Sequence, residues 1–195
     1  MATKTKRPVL KIQYDSPVIL TFALLCLGAL FANSLTDGWA NTNLFSVYSS
    51  SLSDPLTYVR FFGHVLGHGD FSHYFGNICL LLVLGPVVEQ RYGCLNVLLS
   101  IVITTLVSGI IHFVFFPATA LLGASGIVFM MIFLSSISGL RGGNIPVSLI
   151  LVGFIYLGQE VYDLFFAIDD VSQITHIIGG VCGIICGAVM AKKKK

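Results

Sequence analysis

The stretch CLNVLLSIVITTLVSGIIHFVFF, residues 94–116, contains no Asp, Glu, Lys or Arg. A hydrocarbon core about 30 Å thick is crossed by about 20 apolar residues in a helix, so this run reads as one complete membrane span. Working outward, comparable runs lie at 17–35, 73–90, 125–140, 145–166 and 172–190. Several are short or carry glycine, which membrane helices tolerate when they pack on neighbours. The composition agrees: of 195 residues, 55% are hydrophobic and 10% charged, and the mean hydropathy is +0.90. A soluble domain carries about 25% charged residues. The chain therefore reads as all-α and polytopic, and a soluble globule, a disordered tail and a nucleic-acid binder are excluded.

The organisation expected is a tail over 1–16, a single six-helix transmembrane domain over 17–190 and a basic tail over 191–195. The first span follows Lys4, Lys6, Arg7 and Lys11. No clear A-x-A cleavage site follows it, so it reads as a retained helix rather than a signal peptide. Under six spans, Lys4, Lys6, Arg7, Lys11, Arg91, Arg141 and Lys192 to Lys195 share one side, and only Arg60 lies opposite. The positive-inside rule then places both termini in the cytoplasm, with loops 36–72, 117–124 and 167–171 facing outward. A bacterial inner membrane is the simplest location. Five cysteines, Cys26, Cys79, Cys94, Cys182 and Cys186, lie in or beside apolar runs and read as small buried side chains rather than a disulfide framework.

Polar groups inside a membrane are costly, so each is a functional candidate. Span two opens with His73-x-x-x-Asn77, four residues apart and thus on one helix face. Span four opens with Gly123-Ala124-Ser125-Gly126, and span six carries His176 a turn or so below the same boundary. All three spans run outside to inside, which sets Ser125, His176, His73 and Asn77 at one depth. That set is complete for acyl transfer. A serine hydroxyl needs an adjacent base, for which His176 is suited. An oxyanion needs fixed donors, which His73, Asn77 and the Ser125 backbone N–H can supply. Gly123 and Gly126 leave room for a substrate backbone to approach. Gly179, Gly183 and Gly187 form a small-x-x-x-small stripe that shares its face with His176, and span four is the packing partner expected for it.

Each feature has a plainer explanation. G-x-S-G alone is a weak signal, a lone histidine near a boundary is more often interfacial, and a glycine stripe is usually only helix packing. The coincidence of four required groups from three helices at one depth favours catalysis.

The motifs YVRFFGH (58–64), HGDFSHYFGN (68–77), EQRYG (89–93), Gly123-Ala124-Ser125-Gly126 and His176-x-x-Gly179-x-x-x-Gly183 together resemble the rhomboid intramembrane serine proteases in their compact six-helix bacterial form. The resemblance covers about residues 56–190. It implies Ser125 as nucleophile and His176 as base, with no acidic third member, and His73 and Asn77 assisting the oxyanion. Many relatives have Tyr four residues after the serine, stacked on the catalytic histidine; Phe129 stands there in this chain. The family fold implies a helical bundle with a water-filled cavity opening outward, loop 117–124 descending to place Ser125, and 167–171 acting as a lid. It further implies single-pass transmembrane proteins as substrates, cut near the outer end of their helices, with movement of span five admitting them. No cofactor is implied.

The remaining polar residues support weaker readings. His64, His68 and His73 are close in sequence, but no H-E-x-x-H is present and no metal is expected. His68 reads as part of the polar network around the cavity, and His112 as an interfacial residue ending span three. Gly67-His68-Gly69-Asp70 and Tyr162-Asp163 fit the G-x-G-D and Y-D pair of intramembrane aspartyl proteases, in reversed order and at helix ends, whereas that chemistry needs two close carboxylates. Glu89 and Arg91 read as an inner-boundary anchor, and the terminal lysines as an anchor on anionic lipid. The rival from another class is a catalytically silent rhomboid-like protein that binds membrane clients. A transporter lacks a visible inverted repeat and a mid-membrane relay carboxylate.

Overall fold

The structure is a computed structural model, and it describes residues 13–137, 147–152, 154 and 170–192. Helices α1 (Pro17–Leu35), α4 (Phe71–Tyr92) and α5 (Cys94–Phe115) are each long and apolar enough to cross a membrane. The last helix, α8 (Asp170–Lys192), contains a fourth such span at Gln173–Ala191. Helix α6 (Ser125–Ile137) is shorter and apolar. Between α1 and α4 the chain forms α2 (Trp39–Asn43) and α3 (Pro55–Gly63), and α7 (Val147–Val152) follows α6. Among the described residues there is no strand, only a bridge between Val47 and Leu121. The molecule is an all-helical, multi-pass membrane protein. Most of span five, the lid segment 167–169, Arg141, Glu160 and Tyr162-Asp163 lie outside the described residues.

Helix directions follow from paired contacts. Gly179, Gly183 and Gly187 of α8 face Gly126, Met130 and Ile137 of α6 in that order, so the two helices are parallel. Asn77 of α4 lies beside Gly123 at the start of α6. Near the far end of both helices, the Tyr92 hydroxyl donates to the Leu134 carbonyl at 3.3 Å, so α4 is parallel to them as well. Helix α6 is the centre of the bundle: Ile127, Met130, Met131, Phe133 and Leu134 are all buried. Large apolar side chains on the outer faces, such as Leu24, Val83, Val87, Leu95 and Ile110, are exposed, as suits helices whose solvent is lipid.

Several buried polar groups hold these helices in register. Glu89 is buried and accepts from the backbone N–H groups of Val18 and Ile19, each at 3.0 Å. It thereby satisfies the first turn of α1, where Pro17 has no N–H and Ser16 forms no side-chain cap; a carboxylate at a helix N-terminus is also favoured by the dipole. The expectation that Glu89 anchors the boundary is therefore corrected: it is an interhelical cap. Arg60 is 2% exposed and donates to Asp54 at 2.9 Å, Thr57 at 2.8 Å and Ser50 at 3.0 Å, with its guanidinium 4.7 Å from the Tyr48 ring centre. This pairing explains how the single basic residue of segment 36–72 is accommodated. Cys26, Cys182 and Cys186 are buried, but Cys79 and Cys94 are exposed; the expectation of five buried cysteines fails for those two because their helix faces point outward.

Candidate active site

Helix α6 begins at Ser125, and the loop before it is fixed at three points. His112 Nε2 lies 3.1 Å from the Thr119 carbonyl oxygen; a carbonyl can only accept, so that ring nitrogen carries the proton. Leu121 exchanges two 2.9 Å backbone hydrogen bonds with Val47. The Gly123 N–H donates to the His64 carbonyl at 2.8 Å. His112 is thus buried and structural, which corrects its expected interfacial place: the loop folds back over the end of α5 and removes the ring from water.

Gly123 has a φ of +128°, a conformation that a side chain strains. Space demands glycine there as well. A Cβ at this position would stand 2.9 Å from Cε1 and Nε2 of His73 and 4.0 Å from Nδ2 of Asn77. The imidazole edge of His73 and the carboxamide of Asn77 therefore converge two residues before Ser125. The Asn77 Nδ2 is buried and has no hydrogen-bond partner among the described residues, unusual for a buried donor. Asp70 caps α4 by accepting from the His73 N–H at 2.8 Å, which fixes the turn carrying His73. His73 is within electrostatic reach of both Asp70 and His176.

His176 reaches this point because α6 and α8 touch backbone to backbone. A Cβ at Gly179 would fall on the Gly126 carbonyl, and one at Gly183 on the Met130 carbonyl. One residue before His176, Thr175 lies against Gly126; a Cβ on that glycine would stand 3.1 Å from its methyl group. The His176 ring stacks on Phe129, with centroids 4.4 Å apart and planes 2° from parallel. Phe129 lies four residues after Ser125, so the two share a face of α6. Ser125, His73 and His176 are partly accessible, and Asn77 is buried.

Behind these groups His68 is buried, its ring 5.1 Å from that of His73 and edge-on to it. His68 Nδ1 lies 3.1 Å from the Leu66 carbonyl, and burial pushes its pKa down to about 4. His64 Nε2 lies 3.3 Å from the Ser108 hydroxyl, and burial pushes its pKa to about 4 as well. Ser125, His73, Asn77, Gly123, Gly126, Phe129, His176, Gly179 and Gly183 thus gather at one end of the α4–α6–α8 core, with His68 lining it. Two supports carried no signal in the sequence. The backbone carbonyl of His64 leaves none, because any residue has one. Thr175 could have been suspected only from its place beside His176.

A profile of the Rhomboid domain matches residues 55–193. The chain is also similar to Rhomboid-related protein 2 of Mus musculus, with 29% identity over 157 residues, covering 70% of this chain and 52% of that protein. It spans about half the length of that relative. The matched region runs from the start of α3 through α8 and includes every residue gathered around Ser125, so the chain belongs to the rhomboid family.

Proposed function

We propose that this protein is an intramembrane serine endopeptidase that cuts single-pass membrane proteins near the outer end of their transmembrane helices. The observation that carries the reading is the convergence of His73 and the Asn77 Nδ2, which has no partner among the described residues, on the backbone just before Ser125, with His176 stacked one turn later on Phe129.

In this reading Ser125 Oγ attacks the scissile carbonyl carbon while His176 takes the hydroxyl proton. The carbonyl oxygen becomes an oxyanion, stabilised by donors from His73, Asn77 and the Ser125 backbone N–H. Collapse breaks the C–N bond, and the imidazolium returns its proton to the leaving amine. Water then attacks the acyl ester, giving its proton to His176. Breakdown of the second tetrahedral intermediate releases the new carboxyl terminus and restores the serine. Phe129 keeps the imidazole oriented without bonding to it. A transmembrane substrate hides its carbonyls in its own helix, so helix-weakening residues near the cut favour attack. The same reading places both termini in the cytoplasm of a bacterial cell, treats 17–190 as one catalytic domain, and needs no metal or cofactor.

The test is cleavage of a reporter transmembrane protein by membranes carrying the unaltered chain, Ser125→Ala or His176→Ala. The reading requires product only from the unaltered chain. Equal product from all three would end it, and capture of an intact client by all three would favour a silent binding protein.

A further inference from the structure

A pocket of about 390 Å³ opens between the C-terminal end of α1 and the start of α4, bordered by Phe31, Asn33, Ser34, Asp70 and Phe71. Its electrostatics favour one sign. The carbonyl end of α1 carries the negative pole of the helix dipole and has no basic residue in its last turn to offset it. Asp70 adds a carboxylate group: its Oδ1 accepts from the His73 N–H, and its other oxygen has no hydrogen-bond partner among the described residues. No lysine or arginine is near in sequence. The only one in segment 36–72 is Arg60, which is spent on Asp54. Two aromatic rings, Phe31 at 60% exposure and Phe71 at 64%, stand at the rim, and ring faces attract cations. Phe71 opens α4 and Phe31 lies four residues before the end of α1, so both stand near the ends of helices long and apolar enough to cross a membrane.

The geometry points to a binding site for the ammonium group of a phospholipid headgroup, held between Asp70, the carbonyl end of α1 and the rings of Phe31 and Phe71. The lipid's chains run down beside α1, whose Leu24 and Leu25 face outward. A lipid fits better than a peptide side chain because the pocket opens where exposed apolar side chains meet the helix ends. Asp70 also caps the helix that bears His73, so an occupied pocket steadies the first turn of α4.

The experiment uses the full chain in micelles of an uncharged detergent. Its unfolding temperature is followed as dihexanoyl phosphatidylethanolamine or dihexanoyl phosphatidylglycerol is added. The ethanolamine lipid should raise the unfolding temperature saturably, and the glycerol lipid, which has no ammonium, should not. Asp70→Asn keeps a capping side chain while removing the charge, and Phe31→Leu keeps an apolar side chain while removing the ring. Each should raise the half-saturating concentration about tenfold. Ser125→Ala should respond like the unaltered chain, so this site can fail or stand independently of the peptidase reading. An equal shift from both lipids would overturn the assignment, and so would an ethanolamine effect unchanged in both variants.

Discussion

The His176 imidazole lies flat on the Phe129 ring, 4.4 Å between centroids, and this stack sets the orientation of the proposed base relative to Ser125. Such aromatic contacts are worth about 0.5–1.5 kcal/mol. Phe129→Leu should therefore lower kcat about two- to tenfold with little change in KM, measured on a reporter substrate. Phe129→Tyr should stay close to the unaltered rate. A leucine variant with full kcat would remove the stack from the mechanism.

Two glycines in membrane helices should respond in opposite ways to the same substitution. At Gly179 a methyl group would fall on the Gly126 carbonyl, forcing α8 away from α6. Gly179→Ala should cost about 1–3 kcal/mol of stability and reduce cleavage, because the shift moves His176. At Gly28 a Cβ meets nothing within 4 Å, so Gly28→Ala should stabilise by up to about 1 kcal/mol and leave cleavage unchanged. Thermal unfolding and cleavage of both variants check the pair.

The glycine stripe was legible from its spacing, and so was its consequence, because a four-residue repeat of small side chains specifies close helix contact whatever the partner. Among the described helices the span boundaries were equally readable: α1 occupies the expected 17–35, and α6 starts at Ser125, where the fourth apolar run begins. Glu89, Arg60 and His112 were not readable. Each is polar and close to a helix end, where an interfacial side chain looks the same in sequence. Only the fold reveals that Glu89 meets the start of α1 and that His112 meets the Thr119 carbonyl.

Removing the Glu89 carboxylate leaves the Val18 and Ile19 N–H groups without their acceptor. An unsatisfied buried donor costs about 1–3 kcal/mol, so Glu89→Ala should lower the unfolding temperature clearly. Glu89→Gln, which keeps one acceptor oxygen, should lower it less. Equal losses in the two variants would mean that the hydrogen bonds are not what matters.

Stability should fall in acid. Burial holds His64 and His68 at a pKa of about 4, against 6.5 for an ordinary histidine. Between those values the unfolded chain binds protons that the folded chain refuses, so stability rises with pH through that window. The contribution is complete above pH 6.5 and is lost progressively toward pH 4, by about 3 kcal/mol per ring. Unfolding temperatures between pH 7.5 and 4 measure it; a flat profile would contradict the buried, neutral state of both rings.

Oxyanion donors should matter to rate more than to binding. Asn77→Ala removes the buried Nδ2 that has no partner among the described residues, and loss of one such donor typically costs about 10²- to 10³-fold in kcat. Because that donor has no hydrogen bond to lose among the described residues, thermal stability should change little. Full activity in this variant would make Asn77 a structural residue.

If Ser125 is a nucleophile activated by His176, the rate and position of fluorophosphonate labelling in membranes report it without any need for a protein substrate. A single adduct is expected, mapped by mass to the peptide containing Ser125, absent in Ser125→Ala and strongly slowed in His176→Ala. Labelling at another residue, or undiminished labelling in His176→Ala, would contradict it.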